Sequence, residues 1–231
     1  YKFYATGPYG TNAAPYDGRP GSVQDGFNFQ GDKNGSKWNP NVREIPRALK
    51  TGKLDLRPNS QAVQITHDSK GNVDGVLYID TKTKALHRQE AKVVCVAGNS
   101  IETPRLFLMS ASSMFPNGLA NSSDQVGRNY MRHLTGSVYA RFDKPVHFYR
   151  GETMAGFFAD EVKNNPKRGF VGGYYLETLA LGPSFLGAFL EPGGWGKKFA
   201  DMMDGYQNIA GMWIVGEDMP QGNNRITLGS A

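Results

Sequence analysis

The alternation of apolar and polar positions changes character several times along this chain, and each change marks a different kind of element. Residues 1–41 mix Gly, Pro, Asn and aromatic side chains without a sustained period, and Asp17-Gly18-Arg19-Pro20-Gly21 is a run of turn formers. So long an irregular stretch is expected to wrap something, either a neighbour outside the chain or a bound cofactor. Over residues 41–50, Ile45, Ala48 and Leu49 fall on one helical face. Asn41 is placed to cap that helix, Pro46 lies in its first turns, where proline is tolerated, and Gly52 ends it. Short strands are then predicted at 54–57, 62–66, 73–80 and 85–90. Turns at 68–72, where Gly71 can take a positive φ, and at 81–84 join them into a β-meander.

At residues 93–97 every position is apolar, which predicts a strand covered on both faces as in a parallel sheet. Gly98-Asn99-Ser100 forms a turn. A helix follows over 101–112, with Ser100 as its N-cap and Glu102 in the first turn, where an acid suits the positive helix end. A buried strand, a Gly turn and a helix N-terminus are the usual seat of a dinucleotide in an open α/β sheet. Residues 124–133 read as a polar connector. Beyond it, strands are predicted at 137–142, 154–158, 169–176, 209–216 and 225–228. Residues 185–203 form either one helix interrupted at Pro192-Gly193-Gly194 or two short ones. The expected fold is α/β, α+β overall, with one domain over residues 1–133 and a second, antiparallel one over 134–231.

Composition narrows the function classes. The 231 residues carry a net charge of +5, but the bases are scattered, which argues against nucleic-acid binding. No apolar run reaches the length of a membrane span. The single cysteine, Cys95, lies between Val94 and Val96 and is expected to be a buried small hydrophobe. None of His67, His87, His133 and His147 stands at metal-ligand spacing from another ligand type, so no metal site is expected. His67 and His87 are expected to be exposed, and His133 to make a structural hydrogen bond. Glu217 and Asp218 are adjacent, so on a strand they point to opposite faces and form no acid pair. Trp195, Trp213, Tyr174 and Tyr175 either line a sugar-facing cavity or pack the second domain's core.

The stretch Ala91-Lys92-Val93-Val94-Cys95-Val96-Ala97-Gly98-Asn99-Ser100-Ile101-Glu102-Thr103-Pro104-Arg105-Leu106, with Phe107 and Ser110, resembles the second signature of the glucose-methanol-choline (GMC) oxidoreductases. Asn99 stands where that family usually has Gly, and Ala111-Ser112-Ser113 stands where Gly-aliphatic-Gly would follow the serine. Collinear stretches extend the resemblance. Residues 52–57 through Val63, then 71–78, are similar to the family's meander. Val126-Gly127-Arg128-Asn129 with His133 is similar to its inter-domain link. Residues 217–220 and 224–228 are similar to a late strand pair of its substrate domain. The nearest flavour is the bacterial glucose, fructose, sorbitol and gluconate dehydrogenases.

The resemblance implies an FAD-dependent oxidoreductase acting on CH–OH groups of alcohols or sugars, with hydride transfer to the flavin. The first domain would be a partial Rossmann-like FAD domain, and the second part of a substrate domain. The resemblance places Ala62 and Val63 at the adenine, and Ala97, Gly98 and Asn99 beside the adenosine and pyrophosphate. It also implies an interior piece. The family's Gly-rich phosphate loop would come before it and its catalytic His region after Leu228, leaving no catalytic residue in this chain and FAD held weakly or not at all. Residues 21–32 match the stretch that carries iron-sulfur cysteines in some relatives; they contain no cysteine, so no cluster is expected. A small alcohol or sugar and an electron-transfer subunit are the implied partners, and a periplasmic or membrane-associated location the implied setting. The competing possibility is a non-enzymatic, β-rich module that binds a substrate or partner.

Overall fold

The structure, a computed structural model, describes residues 2–7, 9–26, 28 and 30–229. In chain order its regular elements are β1 (Tyr4–Ala5), α1 (Glu44–Lys50), β2 (Ser60–His67), β3 (Val73–Asp80), β4 (Leu86–Glu90), α2 (Asn99–Met109), β5 (Leu134–Arg141), β6 (Phe157–Phe158), β7 (Tyr174–Thr178), α3 (Pro183–Leu190), α4 (Gly196–Asp204) and β8 (Ile209–Gly216). The fold is mixed α/β with antiparallel sheets and few helices, as the sequence pattern indicates. The units, however, interleave along the chain instead of following one another with a break at residue 133. Residues 1–54 group with His133–Asp218, and Asp55–Arg132 with the segment from Met219 onward.

The first unit is built on a five-stranded antiparallel sheet in the order β1-β6-β7-β8-β5. Registry assigns the faces. Tyr139, Ile209, Trp213 and Val215 share one face with Tyr175 and Glu177, whereas Val138, Ala140, Leu176, Thr178, Met212 and Ile214 share the other. Helices α3 and α4 cover the first face, where Leu179, Leu181, Leu186 and Ile209 form the core against Tyr139, Leu190, Met202 and Trp213. The two helices settle the choice left open by Pro192-Gly193-Gly194, since the chain breaks there. Gly211 is needed on this face because a Cβ there would meet the Tyr139 ring at 2.3 Å. The Tyr139 hydroxyl donates to the Leu179 carbonyl at 3.2 Å, and burial raises its pKa to about 12.

The irregular N-terminal stretch belongs to this unit. Its backbone closes on itself through Trp38 N–H to the Gly10 carbonyl at 2.6 Å and Asn12 N–H to the Ser36 carbonyl at 3.1 Å. Strand β1 pairs with β6. Ser22 and Asn28 donate to Glu152 Oε1 at 3.4 and 3.3 Å. Arg43 and Arg47 of the α1 region both bind Asp17 and hold its carboxyl below the usual range. Of residues 21–32, Phe27 and Phe29 lie outside the described residues.

The second unit is the meander β2-β3-β4 with α2 packed on it. Strand β3 has the expected bounds, and β2 carries bulges between Ala62 and Gln64 and between Thr66 and His67. Gly71 takes φ +86 in the predicted turn. The unit closes where Ile226 N–H meets the Gly127 carbonyl at 2.8 Å and Tyr130 N–H meets the Asn224 carbonyl at 2.9 Å.

Several expectations need correction. Residues 54–57 and 225–228 form no strand. Residues 93–97 form none either: no strand among the described residues pairs with them, and Val93 is 76% exposed. A two-faced burial pattern is realised only when neighbouring strands are present to bury it. Cys95 is therefore exposed, not buried. Helix α2 starts at Asn99, earlier than expected, because the Asn99 Oδ1 caps the Ile101 and Glu102 N–H groups at 2.8 and 3.0 Å. Ser100 is thus a helical residue, not the cap. His67 is half-buried, its ring nitrogens 2.8 Å from the Asp68 carbonyl and from Ser112 Oγ, with Phe115 edge-on to the ring.

Candidate functional site

In the meander unit, α2 and residues 94–98 close a cavity of about 290 Å3 against β2 and β3. Three of the five residues singled out by the sequence line it: Ala62 from β2, and Ala97 and Gly98 from the segment entering α2. Val63 sits in the β2 bulge and is not part of the lining. Asn99, at φ +80, faces its own helix end as the cap. The sequence reasoning missed the helical side of the wall, formed by Glu102, Arg105, Leu106 and Met109. Their spacing of three, four and seven residues from Glu102 was the available signal. Val76, from the middle of β3, completes the floor.

The wall is held by one buried hydroxyl. Ser110 is fully buried; its Oγ accepts from the Ile65 N–H of β2 at 2.9 Å and donates to the Leu106 carbonyl of α2 at 2.7 Å. It thereby ties the helix to the strand at the cavity's back. The cavity is open-sided, lined mostly by apolar side chains and by one ion pair, Arg105 to Glu102 at 2.7 Å. Such a lining can accept a flat heteroaromatic ring, and the Ala97 backbone and the Gly98 carbonyl can hydrogen-bond its edge, the Gly98 N–H being already donated to Thr103 Oγ1 at 3.0 Å. These residues therefore fit the adenosine half of a dinucleotide. Among the described residues, no group of three or more His, Cys, Asp or Glu is gathered as a metal site.

In the sheet unit, the face opposite the helices is open and forms a cavity of about 710 Å3. Val138, Ala140, Leu176, Ala210, Met212 and Ile214 supply its floor, and Phe142 and Phe148 its side. The only side-chain hydroxyls in the lining are those of Tyr174 and Thr178, and Thr178 Oγ1 already accepts from Gly156 N–H at 3.0 Å. The four aromatics weighed from sequence therefore separate. Tyr174 lines this cavity, Trp213 packs the core on the other face, Tyr175 shares that face beside Glu177, and Trp195 is 87% exposed. Glu217 accepts from Gly173 N–H at 2.9 Å, a structural contact and not half of an acid pair.

Glu177 is a buried carboxyl on the packed face, and its Oε2 has no hydrogen-bond partner among the described residues. Burial raises its pKa, opposed by Tyr175 and by the field of His133. A raised carboxyl pKa means the folded state binds more protons than the unfolded state above the ordinary glutamate value. Stability is thus full below that value and falls as pH rises through the folded pKa. Denaturant midpoints measured from acid to neutral pH should decline over that window. Glu177→Gln should flatten the decline, and an unchanged slope would remove Glu177 as its source.

Comparison with known proteins gives the following. A family model described as GMC oxidoreductase matches residues 8–135. The chain is 33% identical over 225 residues to 2-methyl-1,2-propanediol dehydrogenase of Mycolicibacterium austroafricanum, covering 93% of this chain and 40% of that protein. It is 36% identical over 128 residues to the fructose dehydrogenase large subunit of Gluconobacter japonicus, covering 54% and 23%. It is 35% identical over 89 residues to 6'''-hydroxyparomomycin C oxidase of Streptomyces lividus, covering 37% and 16%. The chain thus spans less than half the length of the curated relatives it matches.

Proposed function

Because this chain belongs to the GMC oxidoreductase family, we propose that it serves an enzyme oxidising the CH–OH group of an alcohol or sugar with FAD as hydride acceptor. The carrying observation is the convergence of Ala62, Ala97 and Gly98 on one apolar slot in the meander unit. That unit, residues 55–132 with the segment from 219 onward, is the cofactor side. The sheet unit is the substrate side. FAD, when bound, supplies the redox chemistry. The residues of this chain would hold its adenosine between Val76 and Leu106 and exclude water there. Val63 and Asn99 would act by shaping the backbone on either side, through the bulge and the cap.

Hydride removal also needs a base for the hydroxyl proton. No histidine lines either cavity, and the residues named here bind and orient. The 231 residues alone are therefore expected to be inactive and to hold flavin weakly. No helix among the described residues is long and apolar enough to cross a membrane. One of the relatives is a large subunit by name, which favours an electron-transfer subunit as partner. The scattered bases, many already paired with acids, favour no nucleic acid.

The sheet cavity refines the substrate. A hexose brings a hydroxyl on nearly every carbon, and each one buried without a partner costs about 1–3 kcal/mol. A wall of Val138, Leu176, Met212 and Ile214 is better suited to an alkyl skeleton, and the relative matched over most of this chain is named for a branched diol. In the full-length enzyme under anaerobic conditions, small branched diols should bleach the flavin's visible absorbance at least about tenfold more efficiently than hexoses. Faster bleaching by hexoses would reverse the substrate order. Absence of any bound flavin would favour the alternative, a binding module without chemistry. Stoichiometric, tight flavin on the 231 residues alone would overturn their expected weakness.

A further inference from the structure

We propose that Ser112 and His67 form a nucleophile–base pair that takes an acyl group from small esters. Neither residue lines either cavity, so the pair stands whether or not the meander unit holds a cofactor. His67 ends β2, Ser112 lies in the loop after α2, and both are half-buried, within reach of solvent. The two ring nitrogens have different partners: Nδ1 is 2.8 Å from the Asp68 carbonyl oxygen, and Nε2 is 2.8 Å from Ser112 Oγ. A carbonyl oxygen only accepts, so in the neutral ring Nδ1 carries the proton and Nε2 is left to accept the Ser112 hydroxyl. This is the tautomer a serine nucleophile requires of its base, with a third group orienting the ring. That third group is the main chain. The Asp68 carboxylate is occupied by the Lys70 and Asn72 N–H groups and the Asn72 side-chain amide. Phe115 holds the imidazole edge-on, with ring centres 4.9 Å apart.

The loop around Ser112 is fixed. Its N–H donates to the Phe115 carbonyl at 3.2 Å, and its Oγ accepts the Phe115 N–H at 3.2 Å. The next two amides, of Ser113 and Met114, have no hydrogen-bond partner among the described residues. They are the donors left for an oxyanion beside the nucleophile. Met114 and Phe115 lie against Gly71, where a Cβ would meet Met114 Sδ at 3.1 Å and the Phe115 ring at 3.3 Å, and they give a short acyl chain an apolar flank. In the reaction, Ser112 Oγ bonds to the ester carbonyl carbon as its proton passes to His67 Nε2. The bond from that carbon to the leaving oxygen then breaks, the electron pair departs with the oxygen, and the imidazolium returns the proton to it. Water, deprotonated by His67 in the same way, releases the acid and restores the serine.

The test treats the full-length protein with p-nitrophenyl acetate, follows nitrophenolate release, and locates the acetyl group by mass spectrometry of acid-quenched peptides. The unaltered protein should give a burst of nitrophenolate and an acetyl group on Ser112. Ser112→Ala, which keeps the fold at small cost, should abolish both. His67→Gln should slow acetylation of Ser112 at least about a hundredfold, the share a positioned base supplies. Ser69→Ala, an exposed serine of the neighbouring turn, should change neither. Acetyl groups found on other residues but not on Ser112, or a burst that survives in Ser112→Ala, would overturn the proposal and reduce the pair to a structural hydrogen bond. Acetylation of Ser112 at the same rate in His67→Gln would overturn it too, since the serine would then react without its base. None of these outcomes bears on flavin binding, so the cofactor reading stands or falls separately.

Discussion

Gly75→Ala should destabilise the meander unit by about 3 kcal/mol and lower its melting temperature by roughly 10 °C. Gly75 is a buried residue of the central strand β3, paired with Thr66 on one side and Glu90 on the other. A Cβ placed there would stand 2.5 Å from the Gln89 carbonyl oxygen and 3.3 Å from the Glu90 Cα. Both contacts are backbone, so no side chain can swing aside. The strand β4 must instead move away from β3, which breaks ladder hydrogen bonds on that side. Val76, the next residue, forms the cavity floor, so cofactor affinity should fall along with stability. Gly136→Ala is the control. Its Cβ would meet nothing within 4 Å on β5, and its melting temperature should match the unaltered protein. Thermal melts of the two variants, with flavin retention measured in parallel, check the expectation. A Gly75→Ala melt indistinguishable from that of Gly136→Ala would contradict it.

Ser110→Ala should cost about 2 kcal/mol, more than its small change in volume suggests. The substitution leaves the Ile65 N–H in the interior without an acceptor, because Ser110 Oγ is its partner at 2.9 Å and Ile65 is 2% exposed. Leu106 O keeps the Ser110 N–H at 3.0 Å, so the loss falls mainly on the strand. The helix is no longer tied to β2, and Leu106 and Met109 lose their fixed distance from Val76 across the cavity. Ser112→Ala, which removes an hydroxyl that meets His67 in a half-buried place, should cost under about 1 kcal/mol. Chemical denaturation of both variants separates the cases. Equal costs would mean that burial of the Ile65 donor is not the cause.

What the sequence disclosed followed from short-range pattern. The meander turns, the bounds of β3 and β8, and the short helix ending at Gly52 depend on residues a few positions apart, and they were legible. Ser110 was picked out by family resemblance, though its hydrogen bond to a strand 45 residues earlier could not be read from spacing. The all-apolar run at 93–97 misled because burial is a property of neighbours, and periodicity cannot reveal whether those neighbours are present. The β1–β6 pairing and the closure of Gly127 with Ile226 join residues roughly a hundred or more positions apart, so a linear division at residue 133 could not foresee them. At the cavity, Ala62, Ala97 and Gly98 were named by resemblance, whereas Val76 of β3 was not named and Val63 stays outside the lining. Glu102 and Arg105 were visible only as helical spacing until the cavity gave that face something to line.

The interleaving of the two units along the chain also has a consequence for the ribosome. Residues 1–54 emerge before the meander, but β1 has no strand to join until residues 157–158 follow. At elongation rates of about 5–20 residues per second, the β1 backbone waits several seconds without its ladder partner. The meander hairpins are local and can form as soon as they emerge, yet the sheet that β1 joins is among the last structures assembled. A chaperone that binds nascent chains should therefore be found on residues 1–54, and its release should coincide with synthesis of β8.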